Sequence, residues 1–277
     1  MAVPFGHIVV ADREAFGGSG GLIAVNPGTG QQQTVAQGGM LKDPAGLAVA
    51  ADGTIFVADL EAFGSGGIIA VDPDNGQQSQ ISASTVLTRP MGLAIAADGQ
   101  LVVAYLNAGD GAGKIMRVNP ANAEHHAVAP TTPLVTPADV VVESSGTILV
   151  ADADIQGFDS RLRRVHADGS VVDIAKDKPG GAIYVGIALS GNDCIVVSAG
   201  HGNFKHLVRF RPGAEHQVFS SNGLLKSPFG VLVEPSGQIV VADASSGVVR
   251  VDPGNGAQTL LAADGSLEHP IAVALAR

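Results

Sequence analysis

Apolar residues in this chain come in short runs separated by polar turns, and the runs recur in a fixed order. Pro44-Ala-Gly-Leu-Ala-Val49 is apolar, Ala51-Asp52-Gly53 is a turn, and Ile55-Phe-Val-Ala-Asp59 is apolar again. Runs of this length, rich in Val, Ile and Leu and bounded by Gly and Asp, predict two strands of a hairpin. A third run, Gly67-Ile-Ile-Ala-Val-Asp-Pro73, ends in an Asp-Pro-x-x-Gly turn, where Pro presets φ and Gly supplies φ > 0. A fourth, more polar run covers 77–82. Each unit therefore predicts a four-stranded meander, apolar at its start and polar at its outer end.

The unit returns along the whole chain. Copies of the hairpin run over Pro90–Tyr105, Pro137–Asp152 and Pro228–Asp243, and a degenerate copy over Tyr184–Ala199. The residue closing the second strand is Asp12, Asp59, Tyr105, Asp152, Ala199 or Asp243, at separations of 47, 46, 47, 47 and 44 residues. A period of roughly 40–50 residues with four strands per unit is the mark of a β-propeller. The C-terminal stretch Leu267–Leu275 holds a first strand with nothing after it. The N-terminal stretch Phe5–Asp12 holds a second strand with nothing before it, so the C-terminal strand is expected to complete the N-terminal blade. The expected fold is an all-β, six-bladed propeller in one domain over 1–277. Its blades are 267–277 joined to 4–39, then 40–85, 86–132, 133–180, 181–223 and 224–266.

The Pro-x-Gly…Val-Ala-Asp pattern resembles the NHL repeat and the six-bladed SMP-30/gluconolactonase, paraoxonase and strictosidine synthase-like proteins, over essentially the whole chain. That resemblance implies the fold. It does not choose between hydrolase, lyase, condensing enzyme and binding scaffold. It also implies that the Pro-x-Gly strand is innermost and that a small-molecule site would lie at one mouth of the central channel.

Composition narrows the partners. The net charge of −10 argues against nucleic acid and anionic membrane, whose affinity comes from Lys and Arg. An apolar fraction of 45% with 15% charged residues marks a folded chain. With a single cysteine, Cys194, no intramolecular disulfide forms, and its apolar run reads as a buried thiol. Alternation along the third strand of the fourth blade places Arg161 and Arg163 together on one face, read as solvated. No apolar run is long enough to span a membrane, and Met1-Ala-Val-Pro leaves no room for a signal peptide. The chain is thus expected to be cytoplasmic as it stands, or exported if a signal has been removed, and a monomer.

Two sets of positions could carry chemistry. One is the start of each inner strand. Asp43, Arg89 and His269 precede the strand proline on consecutive blades and form a candidate polar rim, if they do not point to solvent. Two residues after that proline, or its equivalent, the ring reads Ala272, Gly46, Gly92, Asp139, Gly186 and Gly230. The calcium-dependent enzymes that the chain resembles draw acidic ligands from inner-strand starts. Here the ring is acidic only at Asp139, which reads either as a hydrogen-bonded strand residue or as an anion at the channel mouth. The other set is the loop after Val-Ala-Asp. Near-identical insertions start at Arg13 and Leu60 and place Glu14 with Phe16 and Glu61 with Phe63, where the phenylalanines could cover a ligand. Blade duplication explains the likeness equally well. Asn107 lies in the corresponding loop of the third blade and His201 in that of the fifth.

The repeated Asp12, Asp59, Asp152 and Asp243 are expected to accept hydrogen bonds from adjoining turns rather than to form a carboxylate ring. Ala108–Lys114 lacks the first Gly and the Ser/Thr of a P-loop. Asp152-Ala-Asp-Ile-Gln-Gly157 begins like a calcium loop, but Arg163 stands where the closing Glu belongs. Asp152, Asp154 and Asp159 remain a weak metal set. No cofactor is firmly implied, and a calcium ion is the one candidate. The reading that follows is an NHL-like scaffold binding a small molecule or protein partner at the channel face. The alternative is a lactonase-like hydrolase or lyase at the same mouth, drawing on Asp139, His201, Tyr105 and Glu61.

Overall fold

The apolar runs become strands, and strands consecutive in the chain pair antiparallel. The computed structural model describes residues 2–83, 87–106, 111–128, 130–153, 160–176, 183–191, 193–199, 205–211 and 216–277. The first sheet holds β1 (Ile8–Asp12), β2 (Gly21–Val25) and β3 (Gln32–Gln37). The second holds β4 (Pro44–Val49), β5 (Ile55–Asp59), β6 (Gly67–Val71) and β7 (Gln78–Ala83). The third holds β8 (Pro90–Ile95), β9 (Leu101–Leu106), β10 (Gly113–Val118) and β11 (His125–Val128). The fourth holds β12 (Pro137–Val142), β13 (Ile148–Asp152), β14 (Arg161–Val165) and β15 (Val171–Lys176). The fifth holds β16 (Tyr184–Ser190), β17 (Asp193–Ala199), β18 (Lys205–Phe210) and β19 (Gln217–Ser221). The sixth holds β20 (Pro228–Val233), β21 (Ile239–Asp243), β22 (Gly247–Val251) and β23 (Gln258–Ala262). The last strand, β24 (Pro270–Leu275), pairs with β1, so the first sheet runs β24-β1-β2-β3. Five four-stranded sheets are contiguous in the chain and one is assembled from both ends.

The first strands pack side by side in the cyclic order β24, β4, β8, β12, β16, β20 and back to β24. This ring is the hub of a β-propeller. The core is divided accordingly into clusters, each lying between two neighbouring sheets. Val9 and Leu22 meet Val57 and Ile69 between the first two, and Val10 and Ile23 meet Val240 and Val248 between the first and the sixth. Being covered on both faces, β1, β5, β13 and β21 are buried at every residue. Each fully buried Val, Leu or Ile contributes about 1.5–3 kcal/mol. The outer strands cover less and alternate towards water, as in β7 and β23.

Two local devices fix the hub. The first is the aspartate closing the second strand. Asp59 accepts from the backbone N–H groups of Lys42 and Asp43, which lead into β4, and from those of Glu61 and Ala62 in the following turn, at 2.8–3.2 Å. Asp12 does the same for Glu268, His269, Glu14 and Ala15, and Asp243 for Lys226, Ser227, Ser245 and Ser246. The expected turn hydrogen bonds are therefore present, together with a second set to the loop entering the inner strand. The other device is glycine at close approach. A Cβ on Gly46 would collide with the Met91 carbonyl oxygen, and one on Gly186 with that of Phe229.

One expectation is overturned here. Arg163 is not on a solvated face: its side chain is 2% exposed, because β14 is sandwiched between sheets. It pairs with Asp152 at 3.0 Å and with Asp173 at 3.0 Å, and donates to the Pro133 carbonyl at 2.7 Å.

Asp243→Ala strips the side-chain partner from four part-buried N–H groups at once. We expect it to lower unfolding free energy by roughly 3 kcal/mol in urea denaturation. Gly46→Ala forces β4 and β8 apart and is expected to cost about 2 kcal/mol in the same assay, against a negligible effect at the exposed Ala51→Ser.

Candidate functional site

The ladder between each first and second strand slips at the Pro-x-Gly step. In the second sheet Pro44 pairs with Asp59 and Gly46 with Ala58, leaving Ala45 without a partner. Ala138, Val185 and Ile271 are skipped in the same way, as are Met91 and Phe229 with wider slips. A bulge turns the skipped side chain away from the ladder. All six of these residues line one central cavity of about 480 Å³. The repeat thus builds an apolar channel by aiming one residue per sheet inward. Leu93, Ile187 and Val273 extend the lining below them.

Among the described residues, four charged side chains line the same cavity: Arg13, Asp43, Arg89 and Asp139. Arg13 Nε lies 2.6 Å from Asp43 Oδ1, an ion pair of two part-buried groups. Burial raises the Asp43 carboxyl above its ordinary range, and the Arg13 charge opposes that rise. Arg89 sits at the rim with positive φ (48°), where its backbone N–H donates to the Ser65 carbonyl at 2.9 Å. Its side chain is exposed and has no hydrogen bond or ion pair among the described residues.

Asp139 stands three residues further along its blade than Arg89 does on its own, roughly 10 Å deeper along the channel. Its Oδ1 accepts from Val140 N at 2.8 Å and its Oδ2 from Ile187 N at 3.0 Å, which ties β12 to β16. It is hydrogen-bonded at its strand, as the first of the two sequence-based alternatives has it, and its side chain also lines the cavity, below the mouth. Burial among apolar inner strands pushes its carboxyl up to about 7, and the two N–H groups only partly counter this.

The other candidates are distributed as follows. His269 turns towards Glu14, with Nδ1 3.8 Å from Oε1, and its ring stands 6.5 Å from that of Phe229. The pair meets the cavity only through Phe229. Phe16 and Phe63 adopt positive φ (60° and 55°) and lay their rings over Gly21 and Gly67 of their own sheets. They do not line the channel, contrary to the covering role expected of them: the missing Cβ beneath each ring offers a nearer apolar seat. Glu61 is exposed near Asp43. Tyr105 is 4% exposed inside the core between the second and third sheets, which removes it from the mouth. Asp152 is 1% exposed and occupied by Arg163 and by the N–H groups of Val135 and Thr136, so it is not open to a cation. Asn107, Asp154, Asp159 and His201 lie outside the described residues. Among the described residues, no three His, Cys, Asp or Glu side chains gather as a metal site.

Sequence reasoning missed the inward-facing x residues and Arg13. Signals for both were present. The x of Pro-x-Gly is always apolar but varies in size, and Arg13 and Leu60 are the two residues that differ at the head of otherwise matching insertions.

No family model matches the chain, and no curated protein matches it by sequence. Solved structures do match in fold. A chain of the nidogen/laminin complex aligns with TM-score 0.78 at 15% identity, over 98% of each chain. The periplasmic gluconolactonase of Pseudomonas aeruginosa aligns with TM-score 0.65 at 17% identity, over 99% of each. Virginiamycin B lyase from Staphylococcus aureus aligns with TM-score 0.61 at 17% identity, over 83% of this chain and 73% of its own. The propeller is what they share.

Asp139 gives the site a pH signature. Its folded pKa of about 7 lies above the ordinary 3.8, so its stabilising contribution is full below about pH 4 and is lost as pH rises through 7. The whole shift corresponds to about 4 kcal/mol, and access of channel water reduces this to roughly 2 kcal/mol. Asp139→Asn is expected to flatten the decline in melting temperature between pH 4.5 and pH 7.5, measured by calorimetry. A decline as steep in the variant would assign the titration elsewhere.

Proposed function

We propose that this protein is an NHL-like propeller scaffold that binds a small, largely apolar molecule in the upper mouth of its central channel. Counting the composite sheet with the five contiguous ones, we read six blades. The observation that carries the binding reading is the bulge-directed lining: six skipped residues, none of them polar, converge on a cavity of about 480 Å³ with a few charges at its rim. That combination of apolar wall and sparse polar groups suits a small-molecule site. The gluconolactonase and lyase neighbours support a ligand at this fold's channel by analogy only.

The chain has no tryptophan, which makes an inserted one a clean reporter. Phe229→Trp should change its emission when the neutral probe N-phenyl-1-naphthylamine is added. Probe fluorescence should rise with the wild-type protein and be lost in Ala138→Phe and Ala45→Phe, which fill the channel while keeping the melting temperature. Equal probe binding by filled and wild-type proteins would place it elsewhere and sink the reading.

The second reading, a hydrolase or lyase at the same mouth, is favoured by one observation: a carboxyl titrating near neutrality inside a cavity, as a general acid or base requires. Turnover of a p-nitrophenyl ester, lost in Asp139→Asn while probe binding persists, would favour it. Turnover unchanged in that variant would count against it.

A further inference from the structure

The lining of the upper cavity meets that of a second one. Val233 lines both, the second being a wider cavity of about 1280 Å³ at the opposite mouth. The walls of that lower funnel are the far ends of the inner strands: Val49, Ile95, Val142, Val233 and Leu275, with Phe5 at the rim, 84% exposed. The two linings follow one another along the inner strands, Leu47 to Ala48, Ala94 to Ile95, Val141 to Val142, from one face of the hub to the other over six residues or about 20 Å.

Charged side chains stand at both ends of this passage. At the upper mouth Arg13 is engaged by Asp43, leaving Arg89 as the cation with no partner among the described residues. At the lower mouth lie Asp52, Glu143 and Arg277. Glu143 is held by Arg164 at 2.7 Å, and Asp52 turns its carboxylate on the Thr54 N–H at 2.9 Å. Both mouths carry both signs, and at the upper rim the exposed Arg89 guanidinium has no partner among the described residues. Resting on the channel-binding reading, we propose that the ligand is a long-chain organic anion, its carboxylate-like head at Arg89 and its alkyl tail threaded through the hub into the lower funnel. Guanidinium suits a planar carboxylate through two parallel N–H donors. The tail would be buried against Met91, Phe229, Ile187 and then Ile95 and Leu275.

The test is displacement of N-phenyl-1-naphthylamine by a chemical series. Dodecanoate should displace it far better than hexanoate, with a gain of about three- to fourfold per methylene. Dodecanoate should also outcompete dodecyltrimethylammonium and dodecanol. Arg89→Ala, at an exposed side chain, should weaken dodecanoate on the order of tenfold and leave dodecanol unchanged. Ile95→Glu should weaken dodecanoate while sparing hexanoate and the probe. The inference is overturned by affinity that stops growing beyond hexanoate, by the cationic surfactant binding as tightly, or by an Arg89→Ala variant that keeps wild-type affinity. Failure of the wild-type protein to bind the probe at all would instead overturn the channel-binding reading beneath it.

Discussion

A buried carboxylate at the end of the second strand holds the upper face of this propeller together. Burying an ion without partners is prohibitive, and here it is offset by backbone N–H groups drawn from two segments at once. One segment is the turn that follows the aspartate. The other is the loop that delivers the chain into the inner strand. Asp12, Asp59 and Asp243 each make this double connection. The cost still shows at Asp12, where burial raises the carboxyl despite four N–H donors. Where the residue changes, the structure compensates locally. In the third sheet Tyr105 goes into the core, and the Thr88 hydroxyl donates to the Leu106 carbonyl at 2.6 Å. In the fourth, Arg163 joins Asp152 from the neighbouring strand.

That clamp sets where each inner strand starts, and the start sets the channel. With proline pinned opposite the aspartate, the ladder must slip within the next residues, as glycine at the third position brings neighbouring hub strands into backbone contact. The slip ejects one side chain per sheet towards the axis. A structural requirement of the hub therefore generates an apolar lining as a by-product. Its size is set by the x residues, from Ala45 and Ala138 to Met91 and Phe229.

The fold was legible because it is repeated. A period of 44–47 residues, alternating runs and turn glycines all pointed the same way, and the incomplete ends pointed to a shared sheet, which β24 and β1 form. The site was legible only in part. Asp43, Arg89 and Asp139 were singled out by their positions beside the repeat's fixed points, and all three line the cavity. Phe16, Phe63 and Tyr105 were misplaced because their surroundings are decided by contacts absent from local pattern: a bare glycine under each phenylalanine and a gap in an inter-sheet core. Arg163 was misread for a related reason. Strand alternation separates two faces, but neighbouring sheets cover both faces of a third strand such as β14, so alternation no longer distinguishes water from protein.

Repetition also shows where to look for function. A property shared by every sheet belongs to the architecture, whereas a ligand with two unlike ends needs sheets that differ. Arg13 replaces the leucine of the sister insertion, Arg89 occupies a position held by Asp43, Thr136 or Ser227 elsewhere, and Asp139 breaks a ring of glycine and alanine. These departures come from different sheets and are far apart in the chain, yet the hub brings all three to one cavity. Packing does not call for a cation at the rim, and Asp139, while it ties β12 to β16 through the Ile187 N–H, sets a carboxyl in the apolar wall. Asp139 even opposes stability near neutral pH, since its ionised form is the poorly solvated one. Asp139, its pKa raised by burial and its carboxyl set roughly 10 Å below a cation with no partner among the described residues, makes one sheet of the proposed channel differ where the other five carry glycine or alanine.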